Sequence, residues 1–151
     1  MTEISNNPYK KQNYYLQKAE PINIYKNGKL LLDPYYLGLW LGDGFIRKTT
    51  IINEDVEVIK WLQQYAGSIG MNATISTTKS NALEISIVNS NKPQFYKNQI
   101  LESLRYYNIF SNKDVPEEYI YSSVQDKLQL LAGFIDTDGS FNKRDRIYTL
   151  S

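Results

Sequence analysis

Neither cysteine nor histidine occurs anywhere in the 151 residues. Without cysteine there is no disulfide, no thiolate zinc site and no thiol nucleophile. Without histidine there is no Ser-His-Asp triad, no imidazole metal ligand and no side chain that ordinarily titrates near neutral pH. Any chemistry therefore falls to carboxylates, lysine, tyrosine, hydroxyls or a metal held by oxygen. Net charge is scarce as well: 17 Lys and Arg stand against 16 Asp and Glu. Composition points neither toward nor away from nucleic acid, and the placement of the charges must decide. Long apolar runs are also missing. Nothing approaches the roughly 18 residues of a membrane-spanning helix, and mean hydropathy is −0.46. Met1-Thr2-Glu3-Ile4-Ser5-Asn6 has neither the basic start nor the apolar stretch of a secretion signal. The expected location is intracellular, in cytoplasm or nucleus, with no membrane partner.

What is present begins with enough apolar content, 42%, to bury the core of one domain or of one and a half. Residues 1–32 read as a polar arm or linker, with a short hairpin predicted around Asn27-Gly28. Asp33-Pro34 places an acidic N-cap before a proline at the first helical position, and the helix it starts runs to Asp43 and stops at Gly44. Residues 45–52 look extended, with a break near Lys48-Thr49. A second helix is predicted over 55–66, with Val58, Trp61, Leu62 and Tyr65 on one face. Strands over 72–78 and 82–88 flank a Lys79-Ser80-Asn81 turn. Ala73 and Ile75 alternate with Thr74 and Ser76, as Leu83, Ile85 and Ile87 do with Glu84 and Ser86. Each strand then has one buried face and one polar, hydroxyl-rich face. Pro93 opens a third helix to about Tyr107, striped by Tyr96, Ile100, Leu104 and Tyr107. Ser122-Ser123-Val124-Gln125 fits a capping box for a fourth helix ending at Gly139.

The fourth helix restarts the pattern. Leu37-Gly38-Leu39-Trp40-Leu41-Gly42-Asp43-Gly44 matches Ala132-Gly133-Phe134-Ile135-Asp136-Thr137-Asp138-Gly139 in its small residues, Gly38 and Gly42 against Gly133 and Thr137, and in its closing Asp-Gly. Both lead into an extended basic segment, Phe45-Ile46-Arg47-Lys48 and Phe141-Asn142-Lys143-Arg144. The offset between Asp43 and Asp138 is 95 residues, the size of one αββαββ unit, so this is an internal repeat cut short in its second copy. Small residues four apart let two helices approach closely. Packed about a pseudo-two-fold axis, the helices touch along Gly38/Gly42 and Gly133/Thr137, and their ends bring Asp43 and Asp138 together. Two carboxylates at the negative ends of two helix dipoles favour a divalent cation, and an all-oxygen donor set points to Mg²⁺.

The stretches 36–44 and 131–139 resemble the two signature motifs of LAGLIDADG homing endonucleases, the first copy most resembling endonuclease domains embedded in inteins. Lys113-Asp114-Val115-Pro116 is similar to the Lys-x-Ile-Pro segment of that group. The resemblance implies an α+β fold: one αββαββα unit over 33–121, then a second motif helix and the start of a truncated second unit over 122–151. It also implies Mg²⁺-dependent, sequence-specific hydrolysis of double-stranded DNA. Asp43 and Asp138 carry over as metal ligands and catalytic residues, and Lys113 as the residue that offsets charge at the phosphate or polarises the attacking water. The sheet would lie in the major groove, with Arg47, Lys48, Thr74, Ser76, Thr78, Lys79, Glu84 and Ser86 as candidate DNA contacts chosen by alternation. Asp136 faces Leu41 in the repeat and reads as structural or secondary.

Two other motifs fail on context. An EF-hand loop would put its first carboxylate at Phe134 and end at Asp145, where a glutamate is wanted. An aspartate-based phosphatase needs a strand before Asp136 and a large α/β domain after it. The expectation is that a second half is supplied by a longer native chain or by a second copy, and that the fourth helix exposes apolar surface until then. The alternative function is a non-cleaving, maturase-like or degenerate nucleic-acid binder, which would show salt-sensitive binding without cleavage.

Overall fold

The computed structural model describes residues 28–90, 97–144 and 147–150. Helix α1 (Pro34–Asp43) is followed by β1 (Thr50–Ile52), α2 (Val56–Ser68), the hairpin β2 (Met71–Thr77) and β3 (Leu83–Asn89), α3 (Gln99–Tyr106), the short α4 (Glu117–Ile120), α5 (Val124–Asp138) and a second hairpin, β4 (Gly139–Asn142) and β5 (Ile147–Leu150). The architecture is α+β. The first sheet has the order β1-β3-β2 and is antiparallel throughout.

Helix α1 is the centre of the core. Asp33 accepts from the backbone N–H groups of Tyr35 (2.9 Å) and Tyr36 (3.2 Å), and Pro34 sits in the first turn, where its missing N–H costs nothing. Every residue from Tyr36 to Leu41 is buried. An α-helix buried on nearly all sides must be apolar all round, which Tyr-Leu-Gly-Leu-Trp-Leu satisfies. Trp40 and Tyr36 place their polar atoms on backbone carbonyls, the Trp40 indole N–H on Lys48 (2.8 Å) and the Tyr36 hydroxyl on Thr49 (3.4 Å). Around α1 pack Val58, Leu62 and Ala66 of α2, Ile51, Ile85 and Ile87 of the sheet, and Ile100 and Leu104 of α3.

The segment before α1 is latched by tyrosines from distant parts of the chain. The Tyr119 hydroxyl accepts from Leu32 N–H (3.2 Å) and donates to Leu32 C=O (2.8 Å). The Tyr107 hydroxyl accepts from Leu31 N–H (2.8 Å). Leu31 and Leu32 thus satisfy backbone groups without a strand partner. The rest of the hairpin expected around Asn27-Gly28 lies outside the described residues.

Several boundaries differ from expectation. Residues 44–52 form one short strand rather than two. Gly44 bridges Ile51, the Phe45 N–H donates to Thr50 C=O (2.8 Å), and Arg47 closes the turn in the left-handed region (φ 65°). So tight a turn leaves only Gly44 and Phe45 to pair. The third helix starts later than Pro93, which lies with Tyr96 outside the described residues; Asn98 caps it by accepting from Ile100 and Leu101 N–H. The capping box of α5 is shifted by one residue: Ser123 is the N-cap and Asp126 closes the box. Ser122 instead donates to the Tyr119 carbonyl (2.8 Å). On the expected buried face of the hairpin, Ile85 and Ile87 are buried but Ile75, near the far end of the edge strand β2, is 45% exposed while Met71 at its start is buried.

Candidate two-carboxylate site

The backbones of α1 and α5, which run side by side in the same direction, approach closely. A Cβ placed on Gly38 would fall 2.9 Å from the Gly133 Cα and against the Leu130 carbonyl; one on Gly133 would fall 2.8 Å from the Gly38 Cα and against the Tyr35 carbonyl. One turn on, a Cβ on Gly42 would collide with Thr137 and come within 3.3 Å of Asp138 Oδ2. Helices reach this separation only where the residues at the contact are glycines, or a glycine facing a small side chain. The pairing is the one the repeat predicts, Gly38 with Gly133 and Gly42 with Thr137.

Both helices end alike. Gly44 (φ −76°, ψ 149°) and Gly139 (φ −82°, ψ 137°) turn straight into extended backbone, their N–H groups donating to Trp40 and Ile135 C=O. A Cβ on either would press into the same carbonyl, four residues back. These glycines are required by close approach rather than by positive φ. The aspartate before each is delivered at the last helical position.

Asp43, Asp138 and Lys113 therefore meet at one edge of the helix pair. Lys113 arrives on the loop between α3 and α4, and its Nζ donates to the Gly42 carbonyl (2.5 Å). That carbonyl belongs to the last turn of α1, where no intrahelical donor is available. Partial burial raises the Asp43 carboxyl above its ordinary 3.8; the neighbouring Asp138 charge raises it further and Lys113 opposes. Burial lowers Lys113, while Asp138 and Asp43 hold it up. Asp43 and Lys113 each feel the other and the Asp138 charge, as groups sharing one site must.

The donor chemistry fits a hard divalent cation. Two carboxylates strain against each other at a doubly negative helix terminus, with one lysine in partial compensation, and every available ligand atom is oxygen. Among the described residues no group of three or more His, Cys, Asp or Glu could hold a metal. A cation here would complete its shell with water and substrate oxygens, which suits Mg²⁺, an ion that sheds water reluctantly.

The candidate DNA contacts divide. Thr74, Ser76, Glu84 and Ser86 share the outer face of the first sheet, Thr74 opposite Ser86 and Ser76 opposite Glu84. Thr50 and Ile52 extend that face, opposite Ser86 and Glu84; the sequence reading missed them because Thr49-Thr50-Ile51-Ile52 alternates ambiguously without a register. The Thr50 and Ser86 hydroxyls bond each other at 2.7 Å. Arg47 and Lys48 are exposed in the turn before β1, and the Lys48 ammonium lies 5.2 Å from the centre of the Phe45 ring. Thr78 is not on the strand face: its hydroxyl binds Ser80 and accepts from Ala82 N–H (3.0 Å), shaping the turn that exposes Lys79. Asp136 proves to be an interhelix contact, accepting from the Tyr35 hydroxyl at 2.5 Å.

A sequence profile of the homing endonuclease family matches residues 21–122. The chain belongs to that family. The match covers the first sheet, α1 to α4 and Lys113, and ends before α5. Among curated proteins, the replicative DNA helicase DnaB of Mycobacterium intracellulare is 30% identical over 112 residues, covering 74% of this chain. The chain spans only 15% of that helicase's length. Among the described residues no helix is long and apolar enough to cross a membrane.

Proposed function

We propose that the chain is the LAGLIDADG-type endonuclease unit of an element carried inside a host protein, and that it hydrolyses duplex DNA at a specific sequence with Mg²⁺. The observation that carries this reading is the Gly38–Gly133 contact, which sets Asp43 and Asp138 at one edge beside Lys113. Asp43 and Asp138 would hold the cation through their carboxylate oxygens. Mg²⁺ supplies Lewis acidity at the phosphate and a lowered pKa for water. Lys113, tethered to the Gly42 carbonyl, keeps a positive charge where negative charge grows on the phosphate. Thr74, Ser76, Glu84 and Ser86 face the groove, and Arg47, Lys48 and Lys79 contact its phosphate rim.

The host-borne origin is supported by the mismatch of lengths. The chain contains no G-x-x-x-x-G-K-[ST] phosphate loop of the kind ATP-driven motors use, yet it aligns with a small part of a protein named as a helicase. A shared segment that belongs to an endonuclease family fits an inserted element, such as an intein. The second half that would cover α5 then comes from a longer native chain or a second copy.

The test is incubation of the full chain with a pooled library of duplex targets, with Mg²⁺ and with EDTA. Cut product confined to a small set of sequences, and abolished by EDTA, is the expected result. Retention of specific targets without cutting in Mg²⁺ replaces this reading with the non-cleaving binder.

A further inference from the structure

The two motif copies are not equivalent at their C-terminal turns. In α1 the last turn is tied down by Lys113 on the Gly42 carbonyl. In α5 it is tied down from the first unit, by residues that have no counterpart in the other copy. The Tyr35 hydroxyl donates to Asp136 Oδ2 at 2.5 Å, and Asn53 Nδ2 donates to the Asp136 carbonyl at 3.3 Å. That carbonyl is one of the last four of α5, which have no intrahelical donor. At the repeat offset, Asp136 corresponds to Leu41 and Tyr35 to Leu130, so the reciprocal bond cannot form.

Both donors stand on firm supports. The Tyr35 ring meets Trp61 edge-on at 4.5 Å between centroids, and Trp61 stacks on Tyr65 at 5.2 Å. Asn53 is buried, and its Oδ1 accepts from Asp55 N–H at 2.8 Å, next to the start of α2. A phenol donating to a carboxylate is a strong, charge-assisted bond, and here it comes from a ring whose direction is fixed by packing. Asp138 lies two residues beyond Asp136 in the same turn, before the backbone turns into β4.

We propose that Tyr35 and Asn53, by holding the side chain and the carbonyl of Asp136, are positioning residues that fix the last turn of α5 and so aim the Asp138 carboxylate. The inference rests on the reading that Asp43 and Asp138 hold a divalent cation. It assigns Asp136 a role through its neighbours, not as a ligand.

The test is Mn²⁺ affinity of the full chain, followed by electron paramagnetic resonance well below the unfolding temperature. The set is the unsubstituted chain, Asp138→Asn, Tyr35→Phe, Asp136→Ala and Asp136→Asn. Phe keeps the ring on Trp61 and Asn keeps an oxygen acceptor, so fold and bond are separated. Tyr35→Phe and Asp136→Ala are expected to weaken Mn²⁺ binding about tenfold, the usual effect of losing a partner that orients a ligand. Asp136→Asn is expected to recover most of the loss. If the unsubstituted chain does not bind, or Asp138→Asn binds equally well, the cation reading fails and the proposal with it. If Asp138→Asn loses binding while Tyr35→Phe and Asp136→Ala keep it, the cation reading stands and the positioning role is overturned. If Asp136→Asn falls as far as Asp136→Ala and Tyr35→Phe does not, Asp136 acts through its charge alone, which also overturns the proposal.

Discussion

Helices α1 and α5 carry the same motif and end in the same Asp-Gly switch, yet they live in different surroundings. Six consecutive residues of α1 are buried. In α5 only Leu130 and Gly133 are, while Leu128 is 54% and Leu131 43% exposed. Residues of α1 share one buried cluster with residues of the sheet, α2 and α3; α5 packs mainly on α1, with α4 and the small β4–β5 hairpin as its lesser neighbours. The motif therefore specifies a contact, small residues facing small residues, and a place for one aspartate. It does not specify burial, which depends on what else is folded around it.

Glycine substitutions break the comparison most severely. Gly38→Val pushes a branched side chain into the Leu130 carbonyl and the Gly133 backbone, and should cost about 3 kcal/mol or more, since backbone cannot step aside as a flexible side chain can. Gly67→Ala is the control: it lies in α2 with nothing within 4 Å of the new Cβ, and should stabilise by about 0.5–1 kcal/mol through helix propensity and a restricted unfolded chain. Urea midpoints of the two variants should move in opposite directions.

Leucine truncations read the enclosure itself. Leu39→Ala in α1 should cost about 2–5 kcal/mol by opening a cavity in a closed core. Leu131→Ala in α5 should cost less than about 1 kcal/mol, because an exposed side chain loses little on removal. Equal costs would mean that the outer face of α5 is covered in solution, and a protein-concentration series of midpoints would reveal whether a second copy covers it.

The smallest effect concerns charge at the shared edge. The folded-state pKa of Asp43 is raised, so the folded chain holds its proton more tightly than the unfolded chain does. Stability is then lost as pH rises from the ordinary aspartate value through the raised one, and the penalty persists above it. Asp43→Asn should raise the midpoint at pH 7 and leave it nearly unchanged at pH 3. With the carboxylate only partly buried, solvent screening limits the gain to about 0.5 kcal/mol. A stabilised variant with impaired chemistry is the signature of a group retained for function.

The elements that were legible in the sequence are those with local causes. Asp33-Pro34 announced the start of α1 through its own cap and ring geometry, and Thr74 and Ser86 announced their shared face through alternation. The pairing of α1 with α5 was legible because the repeat places the same small residues at the same spacing. Contacts made over long separations left no local trace. The hydroxyls of Tyr107 and Tyr119 hold Leu31 and Leu32 across 76 and 87 residues; Tyr107 reads in sequence only as part of an apolar stripe, and nothing around Tyr119 singles it out. Tyr35 and Asp136 lie 101 residues apart, and because each faces a leucine in the repeat, the repeat itself hid the bond. Ile75 alternated correctly but lies toward the end of an edge strand, away from the buried Met71 at its start, a position that depends on tertiary packing rather than on residue type.

The central claim is that two aspartates from two helices form one site. The most direct measurement is a double-mutant cycle on DNA cleavage in Mg²⁺, with Asp43→Asn, Asp138→Asn and the double variant. One shared site predicts that each single substitution costs about 100-fold or more, the scale expected when transition-state charge stabilisation is lost. It also predicts that the double variant is hardly worse than either single one. Losses that multiply, or full activity in either single variant, would contradict it.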